Sequence, residues 1–200
     1  MAQIGLYYQT LLETKVSLLP EQIKGNMEEY MLSNLRGKIE GKNIDSGTVL
    51  KINSIIDYGY GKIEAVNFMA TVVYHVKFDC LICSPAKDLE IICVIHNIVK
   101  GYLFGINGPV VIGIQFNNID TDKFKLGGDN TIILKEDGRT VKNGDHVKVS
   151  IISIKNHVGE HQIMTIAKLL DIATPDEIQH FKEEQQMAFK GSTGSEAEFI

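Results

Sequence analysis

Apolar side chains fall on every second position near residue 80. Val72, Tyr74, Val76, Phe78, Cys80 and Ile82 share one face, and Thr71, His75, Lys77 and Asp79 share the other. That period predicts a half-buried strand over 71–82. Residues 6–19 alternate around Thr14, Val16 and Leu18 and predict a second strand, ended by Pro20. Between them the spacing changes. Met27, Tyr30, Met31 and Leu35 make one apolar helical face. Asn26 is placed to cap that helix, with Glu29 three positions on to return a bond to the backbone, and Gly37 or Gly41 to end it. Val49 to Ile56 is rich in β-branched residues and reads as extended. Asp57-Tyr58-Gly59-Tyr60-Gly61 then reads as a hairpin turn, because glycine tolerates positive φ.

Ser84-Pro85-Ala86-Lys87-Asp88 breaks the pattern and marks a domain boundary. Beyond it, short strands are predicted at about 89–99, 102–106, 110–116, 131–135, 146–155 and 162–168. Turn signals separate them at Gly101, Asn107-Gly108-Pro109, Gly127-Gly128-Asp129-Asn130, Asn143-Gly144-Asp145 and Val158-Gly159-Glu160. Strands at this spacing suggest a small barrel or sandwich, with one longer polar connection over 117–130. Thr174-Pro175-Asp176-Glu177 is a helix start, with a capping threonine, proline at the first position and acids in the first turn. That helix is expected to run to about Phe189, and Gly191-Ser192-Thr193-Gly194-Ser195 to form a flexible end. The expected organisation is a domain over 1–83, a second over 84–172, and an acidic helix and tail over 173–200.

Composition narrows the function. The apolar fraction of 44% supports a packed core. No apolar run reaches the roughly 18 residues of a membrane span, and no basic start precedes an apolar block, so neither a membrane nor a secretory signal is expected. Three cysteines, an odd number, argue for a reducing compartment. The net charge of −5 is uneven: residues 1–83 carry 8 basic and 9 acidic side chains, 84–171 carry 10 of each, and 172–200 carry 2 and 6. A near-neutral body does not grip a phosphate backbone by bulk electrostatics, so any nucleic-acid binding is local or assisted by a partner.

No constellation announces catalysis or a cofactor. Cys80-x-x-Cys83 followed by Cys93-x-x-His96 has the spacing of a zinc site. Residues three apart in a strand face opposite ways, however, and Cys80 shares the apolar face, so core packing is the expected role. Gly59-x-Gly61 is too short for a dinucleotide loop, and Asp120-x-Asp122 lacks the further ligands of a calcium loop. The six histidines are scattered. One aromatic and basic set remains: Tyr102, Phe104 and Phe116 near strands, Lys123 and Lys125 around Phe124, and Lys148, Lys155 and His157 near later strand ends. OB barrels bind single strands by stacking bases on exposed aromatics while lysines track phosphates.

Several segments, in order, resemble the stalk subunit of multisubunit RNA polymerases, the seventh-largest subunit of eukaryotic RNA polymerase II or its archaeal counterpart. They are Lys15-Val16-Ser17-Leu18-Leu19-Pro20 leading to Gly25-Asn26, then Glu40-Gly41-Lys42, then Gly47 to Gly61, then Gly101-Tyr102-Leu103-Phe104 with Gly108-Pro109. The resemblance covers about residues 6–171. It implies an α+β protein with an N-terminal ribonucleoprotein-like tip domain and a C-terminal OB-fold β-barrel. It implies a noncatalytic subunit that docks near the clamp of the largest subunit, pairs with a smaller stalk subunit and meets nascent single-stranded RNA or initiation factors; from the residues themselves no cofactor or metal is expected. Carried onto this chain, the docking end includes Pro20, Asp57, Tyr58, Gly59, Tyr60 and Gly61, and the RNA-facing surface includes the Tyr102-to-Phe104 strand and nearby lysines. Gly113, Ile114 and Gln115 depart from the aromatic and small polar residues usual after the Gly-Pro pair, and such drift suits a viral polymerase subunit. The expected location is the nucleus for a cellular eukaryotic protein, and the cytoplasm or virion for a viral one. The competing reading is a free-standing OB-fold RNA-binding or translation-related factor.

Overall fold

The structure is a computed structural model that describes residues 5–63, 70–128 and 131–189. Its contacts divide the chain into two compact units. One holds the described residues up to Pro85 together with Lys155–Ile163; the other holds Ala86–Ile154 and the described residues from Met164 onward. Together they form an α+β protein that includes a closed five-stranded barrel.

The first unit contains β1 (Tyr7–Leu18), α1 (Met27–Ile39), β2 (Asn43–Ile44), β3 (Gly47–Tyr58), β4 (Lys62–Ile63) and β5 (Val72–Cys83). The sheet order is β1-β5-β3-β2, with β4 also paired to β5. The alternation read from the sequence sets the packing. Tyr74, Val76, Phe78, Cys80 and Ile82 are buried, as are Val16 and Leu18 beside them, and Met31 and Leu35 of α1 close the core over that face. Tyr30, expected on the same helical face, is exposed instead. It stands one residue before Met31, about 100° around the helix.

β3 departs from simple alternation. Its residues Val49, Ile52, Ile55 and Tyr58 stand opposite Ile82, Cys80, Phe78 and Val76, so it advances three residues for every two of β5. Register shifts fall between Val49 and Lys51, Ile52 and Ser54, and Ile55 and Asp57. Each extra residue bends and twists the strand, wrapping it about the core.

Local chemistry explains the remaining joints. Asn26 precedes α1, but its side chain bonds the Glu29 side chain (2.9 Å) and not the helix backbone, so the expected capping box does not form. Gly41, at φ 74°, follows the end of α1 and takes the left-handed conformation that favours glycine. Asn43 is 1% exposed and fully engaged. Its N–H donates to Glu160 O (2.6 Å), its Nδ2 to Gln162 O (2.7 Å), its carbonyl accepts from Gly159 N (2.8 Å), and its Oδ1 accepts from Thr48 Oγ1 (2.6 Å). These bonds knit Lys155–Ile163 into the first unit.

The second unit contains β6 (Glu90–Val99), β7 (Tyr102–Asn107), β8 (Val110–Gln115), β9 (Phe124–Leu126), β10 (Ile132–Leu134), β11 (His146–Lys155), β12 (Ile163–Ile172) and α2 (Pro175–Phe189). The ring runs β6, β7, β8, β12, β11 and closes by antiparallel pairing of β11 with β6. That crossing of the last two strands makes it an OB-like barrel. Cys93, Ile95, Leu103, Ile112, Val149 and Leu169 are among its buried residues. The 117–130 connection is partly structured: Ile119 is buried and bridges Leu169, and β9 and β10 form a hairpin. Thr174 and Glu177 form a reciprocal cap on α2, with Thr174 N donating to Glu177 Oε2 (2.9 Å) and Glu177 N to Thr174 Oγ1 (3.3 Å). Phe181 is buried, with its ring edge-on to His146 (centroids 5.6 Å apart). The predicted flexible end at 191–195 lies outside the described residues.

Candidate functional site

In the first unit the sequence-predicted docking residues gather along one flank and end of the sheet. Leu18 of β1 and Ile63 of β4 are both register partners of Val72, one on each side. Pro20, which opens a short 3-10 turn over Pro20–Gln22, and Gly61 therefore lie at the same end of the sheet. Asp57 and Tyr58 lie farther along β5, opposite Lys77 and Val76. Asp57 Oδ1 accepts from Tyr58 N (2.9 Å), and the Tyr58 ring meets Tyr74 edge-on at 6.4 Å.

The 57–61 segment is not a hairpin turn. β3 and β4 pair with the same flank of β5, and Gly59 N donates to His75 O (2.9 Å) between them, so the chain jogs and continues along one edge. Neither Gly59 nor Gly61 has positive φ. Gly61 is required for a different reason: Val72 and Tyr74 occupy the space a side chain would take. Tyr60 is 95% exposed, so its ring is left bare by the described residues of the unit. Leu19 and Ile63 are exposed beside the same sheet end.

In the barrel, Tyr102 and Phe104 face outward, in alternation with buried Leu103 and Gly105. Their rings stack with centroids 6.1 Å apart and planes 19° from parallel. Gly113 is the register partner of Phe104 and leaves that flank of the ring bare, while Gln115 stands opposite Tyr102 with Nε2 3.5 Å from the hydroxyl. On the other side β6 sets Asn97 against Phe104 and Val99 against Tyr102. Lys100 and Gly101 make the two-residue turn between β6 and β7, with Gly101 at φ 90°. Phe116 begins a 3-10 turn, half-buried, and its N–H donates to Gly101 O (3.1 Å), which brings it beside this turn. Asn97, Val99, Lys100 and Gln115 were not legible as site residues, since only strand register brings them to the aromatic pair.

The lysines are distributed differently. Lys148 is register partner of Ile92, seven residues along β6 from Val99, so it lies roughly 20 Å from the aromatic pair at ordinary strand rise. Its Nζ is 3.1 Å from Glu90 Oε2 and 3.3 Å from Glu177 Oε1. Hydrogen bonds to those two carboxylates raise its pKa and hold its charge locally. Lys123 is paired with Asp171, and that hydrogen bond raises its pKa too. Lys125 is exposed on β9, next to buried Phe124. Lys155 and His157 are exposed and belong to the first unit. The structure thus joins Tyr102, Phe104 and Phe116 and leaves Lys148 apart from them.

Cys80, Cys83 and Cys93 are free and buried. Burial raises the Cys80 thiol to about 11 and Cys93 to about 12, and raises Cys83 strongly. Cys80 and Cys83 belong to the first unit; Cys93 is inside the barrel, and His96 is the extra residue of an exposed β6 bulge. Among the described residues no group of three or more His, Cys, Asp or Glu side chains is arranged to hold a metal ion. No described helix is long and apolar enough to cross a membrane.

No family model matches the chain. Individual proteins do. A protein of Acanthamoeba polyphaga mimivirus named "putative DNA-directed RNA polymerase subunit" is 54% identical over 200 residues, spanning all of both chains. The DNA-directed RNA polymerase II subunit RPB7 of Glycine max is 25% identical over 169 residues, covering 83% of this chain and 93% of the soybean protein. Subunit 7 of the Arabidopsis thaliana enzyme is 26% identical over 168 residues, with the same coverage. The class is therefore a subunit of DNA-directed RNA polymerase, a part of the transcription machinery. Within that class the chain belongs to the stalk-subunit family of RNA polymerase II subunit 7, as a divergent member with a viral relative over its full length.

Proposed function

We propose that this chain is a noncatalytic stalk subunit that docks on the polymerase core through its first unit and offers its barrel to nascent RNA or initiation factors. In this reading residues 1–83 are a ribonucleoprotein-like tip domain, 84–172 an OB-fold barrel, and 173–200 an accessory acidic helix and tail. The full-length identity to a polymerase subunit carries the reading. Pro20, Asp57, Tyr58, Gly59, Tyr60 and Gly61 are the docking set, near the largest-subunit clamp. The exposed Tyr60 ring supports this, because a bare aromatic at a sheet end gains most by entering a partner's apolar pocket.

Tyr102, Phe104 and Phe116 form the RNA contact, with Lys123, Lys125, Lys148, Lys155 and His157 as weaker contributors. Stacking is the main term and phosphate neutralisation the lesser one, because Lys123 and Lys148 already hold internal carboxylates. A smaller stalk subunit is the expected partner, and the chain's location follows that of its polymerase.

The test is to tag the chain in its native source, purify it and identify the proteins that come with it. Recovery of the large polymerase subunits and one small partner in equal amounts supports the proposal. A free chain bound to RNA or ribosomes without polymerase overturns it in favour of an independent RNA-binding factor.

A further inference from the structure

β1 is an edge strand of 12 residues, paired on one side only among the described residues. Its register with β5 runs from Tyr7↔Cys83 to Leu18↔Val72 without interruption. The backbone direction follows from its neighbours. His75 O points to the β3 side, where it accepts from Gly59 N, so its partner Lys15 turns its own groups away from β5. The odd-numbered residues of β1 therefore present their N–H and C=O groups to the free edge.

Two carbonyls of that edge are covered. Lys15 O accepts from Lys38 Nζ (2.7 Å) and Ser17 O from Asn34 Nδ2 (3.0 Å), both reaching over from α1. Among the described residues nothing covers the edge groups of Gln9, Leu11 and Glu13. Natural sheets blunt such edges with charged side chains, bulges, proline or a covering element. Of these, residues 9–13 have only the single charge of Glu13: the register is unbroken, the first proline is Pro20, and the α1 side chains stop at Lys15. Leu11 is also 52% exposed.

We propose that residues 9–13 of β1 accept an added strand from another protein of the polymerase assembly, apolar opposite Leu11 and basic opposite Glu13. This rests on the reading of the chain as an assembled polymerase subunit. Glu13 sets the charge preference: its only ion pair is with Lys77 at 3.8 Å among the described residues, and its side chain is 73% exposed. A second copy of this chain fits less well. Antiparallel self-pairing centred on Leu11 sets Glu13 against Gln9 and gains no charge pair, and sliding it toward Lys15 runs into the Lys38 and Asn34 side chains.

The test compares amide hydrogen exchange of the isolated full chain with that of the same chain in purified polymerase. Leu11 and Glu13 amides should exchange freely alone and slow at least tenfold in the assembly. Leu11→Pro should weaken incorporation at least tenfold while leaving the fold intact, because that N–H faces away from β5 and proline is tolerated there. Glu13→Lys should weaken it less, and serves if the proline variant does not fold. Assembly with these amides still exchanging freely would overturn the added strand and leave the subunit assignment standing, whereas failure to assemble at all would overturn both. Protection appearing in a concentration-dependent dimer of the isolated chain would replace the foreign strand with a second copy.

Discussion

A β-carbon on Gly61 would lie 2.7 Å from Cζ of Tyr74 and 2.4 Å from Cγ1 of Val72. Side-chain atoms do not tolerate such distances, so the start of β4 holds its line along β5 only with glycine at this position. Gly61→Val is expected to push β4 off β5 and displace Tyr60. Recovery of polymerase with the tagged variant should drop at least tenfold while barrel amides keep their exchange rates. Tyr60→Ala removes the exposed ring without a clash and should weaken recovery with unchanged thermal stability. Equal recovery for both variants and parent would rule out this end as the docking surface.

The stacked Tyr102 and Phe104 rings give a second test. Replacing both with alanine is expected to weaken binding of a uridine-rich single strand by roughly 10- to 100-fold for each base that stacks on the pair, from about 1–3 kcal/mol per stacked base. Because Lys123 and Lys148 are already paired, the salt dependence of the parent should be shallow. Fluorescence anisotropy across a salt series measures both. A steep salt slope with no effect of the aromatic replacements would place the RNA elsewhere.

Asn43 joins two stretches far apart in the chain. Asn43→Ala leaves the Thr48 hydroxyl and the Gln162 carbonyl without their partners in a buried site. The expected loss is about 2–4 kcal/mol, read as a lower urea midpoint for the first unit. Asn43→Asp keeps the acceptor for Thr48 but sets a carboxylate against a carbonyl, and should be at least as damaging.

Alkaline stability follows from the buried thiols. Cys93 holds its proton to about 12 in the folded barrel, against 9.0 for an ordinary thiol. Between those values the unfolded chain loses the proton and the folded chain keeps it. Stability from this group is thus complete below about pH 9 and is lost as pH rises toward 12, at about 1.4 kcal/mol per pH unit. Denaturant midpoints at several alkaline pH values should fall more steeply for the parent than for Cys93→Ala. Identical slopes would mean that the thiol ionises in the folded barrel as it does in the unfolded chain.

How legible the molecule was depended on how local each signal is. The alternation in β5 gave its buried face because every other side chain there meets the same core. The Thr174 cap was legible because it closes within one turn. β3 was readable only as extended, since the inward spacing of three depends on the bulges against β5. The role of Gly61 was misread for a similar reason: the residues that exclude a side chain lie in a strand more than ten positions away. The aromatics at Tyr102 and Phe104 stood out in the sequence, but Asn97 and Gln115 reach them only through the register of the barrel.

The stretched course of β3 has a consequence for how its length can vary. Ordinary strands cannot lose a single residue without turning every later side chain to the wrong side. Here Leu50, Asn53 and Ile56 are surplus to the pairing. Deleting one of them removes slack and leaves the phase of Val49, Ile52, Ile55 and Tyr58 intact, so the segment can be shortened by single steps and still fill the same core.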